Sequence, residues 1–406
     1  MTILIITNLF YPDRGGGASV FSDLCFGLAE RGHEIEVYTT YPYYPEWKNK
    51  SGANPWLVRR ETWMGIKLSR YGLYIPRRPS ALLQRIAHEI SFASSLCRAM
   101  FRRPRFDLTL VYCPLMGAVL FAVVRKAVRG GPLWLNVQDI PADAASASGI
   151  SKSRAFNYAA SSLQRFLFRR ADYISTISPI MVRRVRTILG SGKDVLFLPN
   201  WLNASMEELV ERIARTRTWY TVDRLPVILY AGSIGMKQGL INCCSMIAAL
   251  RVEFRFRIFG DGSEAELLNE WIKKRSDQRF SMGQFLPEED FVRELCRADY
   301  FIITETPHVG ASFIPSKLIP CIATGTPVIA ICESEGPLGT EVREHGLGSV
   351  LTWDNMQNVA ELLDSQFLRS QRYRDLTAAC LRRAEVYRRK NAIDHFERQI
   401  NAGKAR

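Results

Sequence analysis

Two stretches of this chain follow one plan, and that repetition limits its folds more than any other feature. Thr2–Thr7 (TILIIT) is an unbroken apolar run of strand length that passes through a glycine-rich loop, Gly15-Gly16-Gly17, into a helical pattern over Ala18–Arg31. There Val20, Leu24 and Leu28 recur at four-residue spacing, Gly32 ends the helix, and Glu34–Thr39 resumes an extended pattern. Far downstream Val227–Ala231 (VILYA) restarts the series: a loop, GSIGMKQG, a helix over Leu240–Leu250 and a strand over Phe254–Phe259. Strands without polar alternation need cover on both faces, which parallel sheets obtain from crossover helices. The expectation is an α/β protein of two parallel-sheet domains, and 406 residues exceed what one core usually covers.

Further strands are predicted at Leu108–Cys113, Trp134–Val137, Tyr173–Ser178 and Val195–Pro199 in the first half and at Tyr300–Thr304 in the second. Ala204–Leu225, charged and poor in buried-strand signals, is where the chain is expected to cross between domains. The uncharged segment Leu108–Val124 is divided by Pro114 and Gly117 into a strand and a buried helix, Leu115–Val124, rather than forming a membrane span. Thr2–Leu9 lacks the basic leader of a signal peptide. Nine cysteines show no CxxC pair and read as reduced core thiols, so a cytoplasmic protein is expected.

The formal charge of +14 points to an anionic partner: a nucleotide diphosphate, a phospholipid surface or a nucleic acid. Ser80–Met100 is predicted as an amphipathic helix with an apolar stripe of Leu83, Ile86, Ile90, Ala93, Cys97 and Met100, ringed by Arg77, Arg78, Arg85, Arg98, Arg102, Arg103 and Arg105. Such a segment suits the face of an anionic membrane, and equally a core helix with a solvated basic side. The basic residues follow no nucleic-acid module, so nucleic acid is set aside.

Ligands of parallel α/β sheets bind at the carboxyl ends of the strands, so the loops there carry the candidates. In Gly310–Ile331 (GASFIPSKLIPCIATGTPVIAI), Pro315 reads as a first-turn proline beside Ser316, and Lys317 brings a cation to a helix N-terminus, a phosphate cradle. Ser233 and Lys237 lie in a second such loop, and Gly260, Asp261 and Gly262 form a third. Tyr43 and Tyr44, in YPYYPEW, could stack on a sugar or an isoprenoid chain, or could form a proline-stiffened surface loop. Asp139, closing a strand, is placed to orient a sugar hydroxyl or to cap the next helix. The glycine loop is not a dinucleotide fingerprint, because Val20 stands where GxGxxG needs glycine and Thr39-Thr40 where an acidic residue should follow; an NAD-type oxidoreductase is disfavoured.

NLFYPDRGGGASVFSDLCFGLAERGHEIEVYTTYPYYP, LPNW, YAGSIGMKQGL, FGDGSE, IPSKLIPCIATGTPVIA and EGPLGTEVREHGLG occur in the order seen in retaining glycosyltransferases of the GT-B fold. The chain resembles family 4 of these enzymes over nearly its whole length, and within it bacterial enzymes of colanic acid and O-antigen assembly. The resemblance implies two Rossmann-like domains facing across a cleft: an acceptor-side domain, 1–205, rejoined by a C-terminal helix at about 385–406, and a nucleotide-sugar domain, 206–384. It implies transfer from a UDP- or GDP-linked sugar to a lipid-linked or saccharide acceptor in surface-polysaccharide assembly, without a metal or other cofactor. The enzyme would be peripheral at the inner face of the cytoplasmic membrane. Lys317 and Lys237 would then neutralise the donor diphosphate, with Ser233, Gly260, Asp261, Gly262, Pro315 and Ser316 around them. Gly16 and Gly17 would lie under the donor phosphate, Gly15, Tyr43 and Tyr44 on the acceptor side, and Asp139 and Lys317 at the reacting centre.

The chain departs from the family at the acidic positions. The usual pair of glutamates aligns with Ser312 and Pro320, and the usual Arg and Lys of the loop after the first strand of the second domain align with Ser233 and Gln238. No histidine lies between His88 and His308, which leaves Asp139 nearest to the family's N-domain histidine. A catalytically silent subunit that binds a sugar nucleotide or a partner enzyme is therefore the second reading.

Overall fold

Each of the two repeats seeds its own sheet. The computed structural model describes every residue except 14–16, 53, 55, 79–80, 101–104, 114, 141–153, 191, 218, 222, 308–313 and 405–406. Its residues form two units, Met1–Asn200 with Ala392–Arg406, and Trp201–Asn391.

The first unit holds β1 (Thr2–Ile6), β2 (Glu34–Thr40), β3 (Arg59–Trp63), β4 (Ile66–Tyr71), β5 (Leu108–Cys113), β6 (Leu133–Val137), β7 (Tyr173–Thr176) and β8 (Val195–Phe197) in the order β3-β4-β2-β1-β5-β6-β7-β8. All neighbours pair in parallel except β3 with β4. That antiparallel hairpin has no counterpart in the sequence prediction, since RRETW is polar and lies on the sheet edge with only its partner strand to hold it. Leu4 and Ile6 share one core with Phe92 and Leu96 of α2 (Leu82–Leu96) and Val119 and Ala122 of α3 (Met116–Arg129). The same core takes in Leu167 of α4 (Arg154–Arg170) and Val185 of α5 (Pro179–Leu189). Ile3 and Ile5 are buried on the opposite face, as strand alternation requires. The helix after the glycine loop, α1, spans Ala18–Glu30.

Two helices differ from expectation in the face they bury. On α2 the core side is His88, Phe92 and Leu96, whereas Leu83 and Ile90 of the predicted stripe are 80% and 59% exposed. Met100 of the stripe is buried in the core, while Leu83 and Ile90 lie on another side of α2. Likewise the predicted buried helix is α3, but its Leu120, Val124 and Val128 face outward. Of the nine cysteines, all unpaired, Cys97 is exposed and the rest are buried.

The second unit has β9 (Val227–Ser233), β10 (Arg255–Asp261), β11 (Phe280–Gly283), β12 (Tyr300–Thr304), β13 (Val328–Ile331) and β14 (Gly348–Leu351), all parallel, in the order β11-β10-β9-β12-β13-β14. Its helices include α6 (Ala204–Ile213), α7 (Leu240–Ala248), α8 (Ala265–Arg275), α9 (Glu288–Arg297), α10 (Leu318–Ala323), α11 (Pro337–His345) and α12 (Gln371–Ala384). The segment read as a crossing thus contains α6, whose Val210 and Ile213 pack on Val292 and Cys296 of α9. The chain ends in α12, a short 3-10 turn at Glu385–Tyr387, and α13 (Arg389–Lys404), the last of these lying within the C-terminal helix expected at about 385–406. From Ala392 onward α13 belongs to the first unit: Phe396 stacks on Trp134 with centroids 5.3 Å apart, and Arg31 of the first unit pairs with Asp394 and Glu397. Among the described residues no helix is long and apolar enough to cross a membrane.

Candidate functional site

The carboxyl end of the second sheet is closed by glycines. Gly260 and Gly232 are register partners on β10 and β9, and a Cβ on Gly260 would stand 1.9 Å from the Gly232 carbonyl oxygen. Gly262, at φ +150°, approaches the Ile234 carbonyl so closely that a Cβ would lie 2.3 Å from it. Ile234 N–H donates to the Asp261 carbonyl at 2.9 Å, locking the two loops together. These contacts explain why the predicted turn GDG carries glycine twice.

Lys317 lies against this closure. Its Nζ sits 4.4 Å from the centroid of the Tyr230 ring and donates to the Tyr230 hydroxyl at 3.3 Å; that hydroxyl in turn donates to the Ser233 carbonyl. A Cβ on Gly232 would come within 3.1 Å of Nζ, so glycine there leaves room for the ammonium. Burial disfavours the charged amine and brings its pKa down to about 8, although Cys321 and Glu305 act in the opposite direction.

Glu305 follows β12, with its N–H on the Ile331 carbonyl and its carbonyl taking the Trp353 indole N–H at 2.9 Å. Burial lifts its carboxyl to about 7, with Lys317 lowering and Glu333 raising it. Among the described residues its side chain makes no hydrogen bond or ion pair. Thr306 then ties this strand end to the Lys237 carbonyl at 2.9 Å. Loops after β9, β10 and β12 therefore meet around one lysine, one tyrosine and one carboxylate. The Lys237 side chain is exposed and makes no ion pair among the described residues.

Pro315 and Ser316 precede this helix rather than opening it. Pro315–Leu318 is a turn, closed by Leu318 N–H on the Pro315 carbonyl, and α10 begins at Leu318. The helix has six residues, so the short turn and the Lys317 side chain, not a helix dipole, supply what positive character this stretch has. Pro320 is buried in the first turn of α10, where no N–H is missed. Ser312 lies outside the described residues. Asp261 is exposed and accepts from the Gly262 N–H at 2.7 Å, beside a cavity of about 610 Å³ bounded by the ends of β10 and β11 and the start of α8.

In the first unit Gly17, at φ +90°, caps α1, and a Cβ there would meet the Phe21 ring at 2.7 Å. Gly15 and Gly16 lie outside the described residues. Tyr43 is not an exposed platform: it is 1% exposed, its hydroxyl accepts from Asn8 Nδ2 at 2.8 Å, and its ring packs edge-on against Trp47 and His88. Tyr44 is half-buried, its N–H on buried Asp13, whose pKa burial raises while the Tyr44 and Tyr43 amides and Lys50 lower it. Asp139 follows β6, and its Oδ1 accepts from the Ile140 N–H at 2.8 Å; the residues next along the chain, 141–153, lie outside the described ones. Asp139 and Lys317, paired by the sequence reading, thus belong to different units.

Sequence reasoning passed over Tyr230, Glu305 and Asp13. A tyrosine within an otherwise aliphatic buried strand needs a hydroxyl partner, and an acid directly after an apolar strand is the signal that singled out Asp139. Among the described residues no group of three or more His, Cys, Asp or Glu is arranged to hold a metal ion.

Residues 15–201 match the glycosyl transferase 4-like domain. WcaI of Escherichia coli (strain K12), assigned to colanic acid biosynthesis as a glycosyl transferase, is 27% identical over 351 residues, covering 84% of this chain and 85% of that protein. The chain is a glycosyltransferase that carries a glycosyl transferase 4-like domain. Its fold is GT-B, as in the sucrose-phosphate synthase of Thermosynechococcus elongatus, with a TM-score of 0.71 at 14% identity over 100% of this chain and 99% of that one. Anabaena HepE in complex with UDP and glucose gives 0.67 at 13% identity, over 99% and 100% of the two chains. The expected α/β class and the resemblance to GT-B glycosyltransferases are thereby borne out.

Proposed function

We propose that the chain transfers a sugar, with retention and without a metal, from a UDP- or GDP-linked donor to a lipid-linked or saccharide acceptor in bacterial surface-polysaccharide assembly. The observation that carries this is the Lys317 ammonium, held by Tyr230 at glycine-closed strand ends. A cation fixed there can neutralise the leaving diphosphate as charge develops, without reorganising during the reaction. Lys237 supplies a second, mobile cation, and the cavity beside Asp261 is of a size for the nucleoside. Retention by attack on the face the diphosphate leaves needs no protein nucleophile, only a held acceptor hydroxyl. HepE's complex with UDP and glucose and the colanic acid assignment of WcaI favour the donor and pathway parts of the reading.

The test is thermal unfolding with UDP, GDP and NAD in turn. One nucleoside diphosphate should raise the midpoint, and a response to NAD alone would overturn the proposal. The anomeric configuration of the product reports retention, and undiminished turnover in EDTA reports metal independence.

Buried Pro320 favours a second reading, a silent subunit that binds a sugar nucleotide without turning it over. Acceptor-dependent release of nucleoside diphosphate separates the two. We propose further that the first unit contacts anionic membrane, because residues 1–200 carry 27 Lys and Arg against 13 Asp and Glu, whereas residues 201–391 carry 24 against 25.

A further inference from the structure

The first unit contains a second concavity, unrelated to nucleotide chemistry. A cavity of about 580 Å³, within the roughly 300–1,000 Å³ of small-molecule sites, is lined mainly by apolar surface from Trp56, Leu73, Tyr74 and Ile75, with Ser94 and Arg98 of the α2 side opposite. Its walls are pinned. The Tyr74 N–H donates to Ser91 Oγ at 2.7 Å, the Tyr74 carbonyl meets His88 Nδ1 at 2.7 Å, and Arg98 donates to the Trp56 carbonyl. Such a cavity is preformed rather than opened by a ligand.

Trp56 and Tyr74 remain 76% and 42% exposed at its rim, and Leu83 and Ile90 of α2 extend the apolar surface beyond it. Arg98 makes no ion pair among the described residues, nor do Arg77, Arg78 and Arg85 nearby. The one acid on α2, Glu89, accepts the Gly117 N–H at 2.8 Å, and Arg85 one turn earlier is the only one of these arginines to act on its charge among the described residues. An apolar pocket with the Arg98 guanidinium on its wall is complementary to a lipid chain ending in phosphate. The cavity opens where Tyr71 ends β4 beside the end of β2, at the sheet edge that also carries Gly17 and Asp139. A bulk lipid anchor has no need of that edge, whereas an acceptor does.

We infer that this cavity binds the apolar chain of a phosphate-bearing lipid acceptor, with Arg98 on the phosphate. The inference deepens the acceptor half of the proposed function and rests on it. The test uses the intact chain with farnesyl phosphate below its micelle concentration, alongside farnesol and inorganic phosphate, read by tryptophan fluorescence and thermal unfolding.

Farnesyl phosphate should bind at least tenfold more tightly than farnesol, and inorganic phosphate should not compete. Ser94→Trp, which fills the cavity from an exposed position, should weaken farnesyl phosphate at least tenfold, and Arg98→Gln should reduce it to the level of farnesol. If Ser94→Trp loses the wild-type unfolding midpoint, Trp56→Ala at the exposed rim takes its place, with the same loss expected. Unchanged binding in the folded cavity variant, which would mean surface partitioning as to a bilayer, overturns the inference. So does full competition by inorganic phosphate. The UDP response of the wild-type samples reads the donor proposal separately, so the two can fail independently.

Discussion

Lys317 is the residue on which most of the chemistry turns, and its environment sets a pH dependence. A lysine whose folded pKa lies below its unfolded value of 10.5 loses stability as pH falls through about 8, because the buried amine must then take up a proton. A bound diphosphate offsets that cost. The UDP-induced rise in unfolding midpoint should therefore be full at pH 7 and decline as pH passes 8, and titration calorimetry of Lys317→Met should show at least a tenfold weaker complex without this alkaline limb. Because Glu305 raises the lysine's pKa, Glu305→Gln should move the limb to lower pH; a limb that stays in place would separate the two groups. Gly232→Ala places a methyl within 3.1 Å of Nζ at φ +137° and should weaken UDP binding by pushing the ammonium off Tyr230, as a nucleotide titration would read. Lys317 could be singled out from a short motif. The ring beneath it could not, since Tyr230 lies 87 residues earlier and the two meet only through the pairing of β9 with β12.

At the scale of elements, the buried parallel strands were legible because their apolar runs leave no face for water: Tyr300–Thr304 is predicted and found with the same ends. Edges and amphipathic faces were not. The β3–β4 hairpin is polar, and on α2 the residues spaced like a core stripe are not the ones the sheet covers. Helical spacing reveals that a face exists, but the partner element decides which face is used. The α2–α3 crossing illustrates how tight that decision is, since a Cβ on Gly117 would stand 2.4 Å from the Glu89 carbonyl oxygen. Gly117→Ala should cost about 1–3 kcal/mol by overpacking, measured by denaturant unfolding. Phe396→Ala, which removes the ring stacked on Trp134, should cost about 3–5 kcal/mol in the unfolding of the first unit while leaving UDP affinity in place.

Over the whole molecule, the uneven charge is the property the sequence displayed without explaining. The excess of basic residues in the first 200 positions predicts binding to anionic vesicles that weakens steeply between low and physiological salt. Joint neutralisation of Arg102, Arg103 and Arg105 should reduce it in a flotation assay; salt-independent or absent binding would sink the membrane proposal. Arg102 and Arg103 lie outside the described residues, so for them the expectation rests on charge alone.

The return of α13 to the first unit has one more consequence, for the order in which the protein can be made. Residues 201–391 emerge from the ribosome before the segment that covers Trp134 and pairs with Arg31. The later-encoded unit can therefore close on itself while the earlier one still waits for its last helix, the reverse of N-terminal-first folding. A nascent chain arrested after Asn391 plus a flexible linker long enough to bring that residue out of the ribosome tunnel should already resist protease across its second half and still be cut in its first.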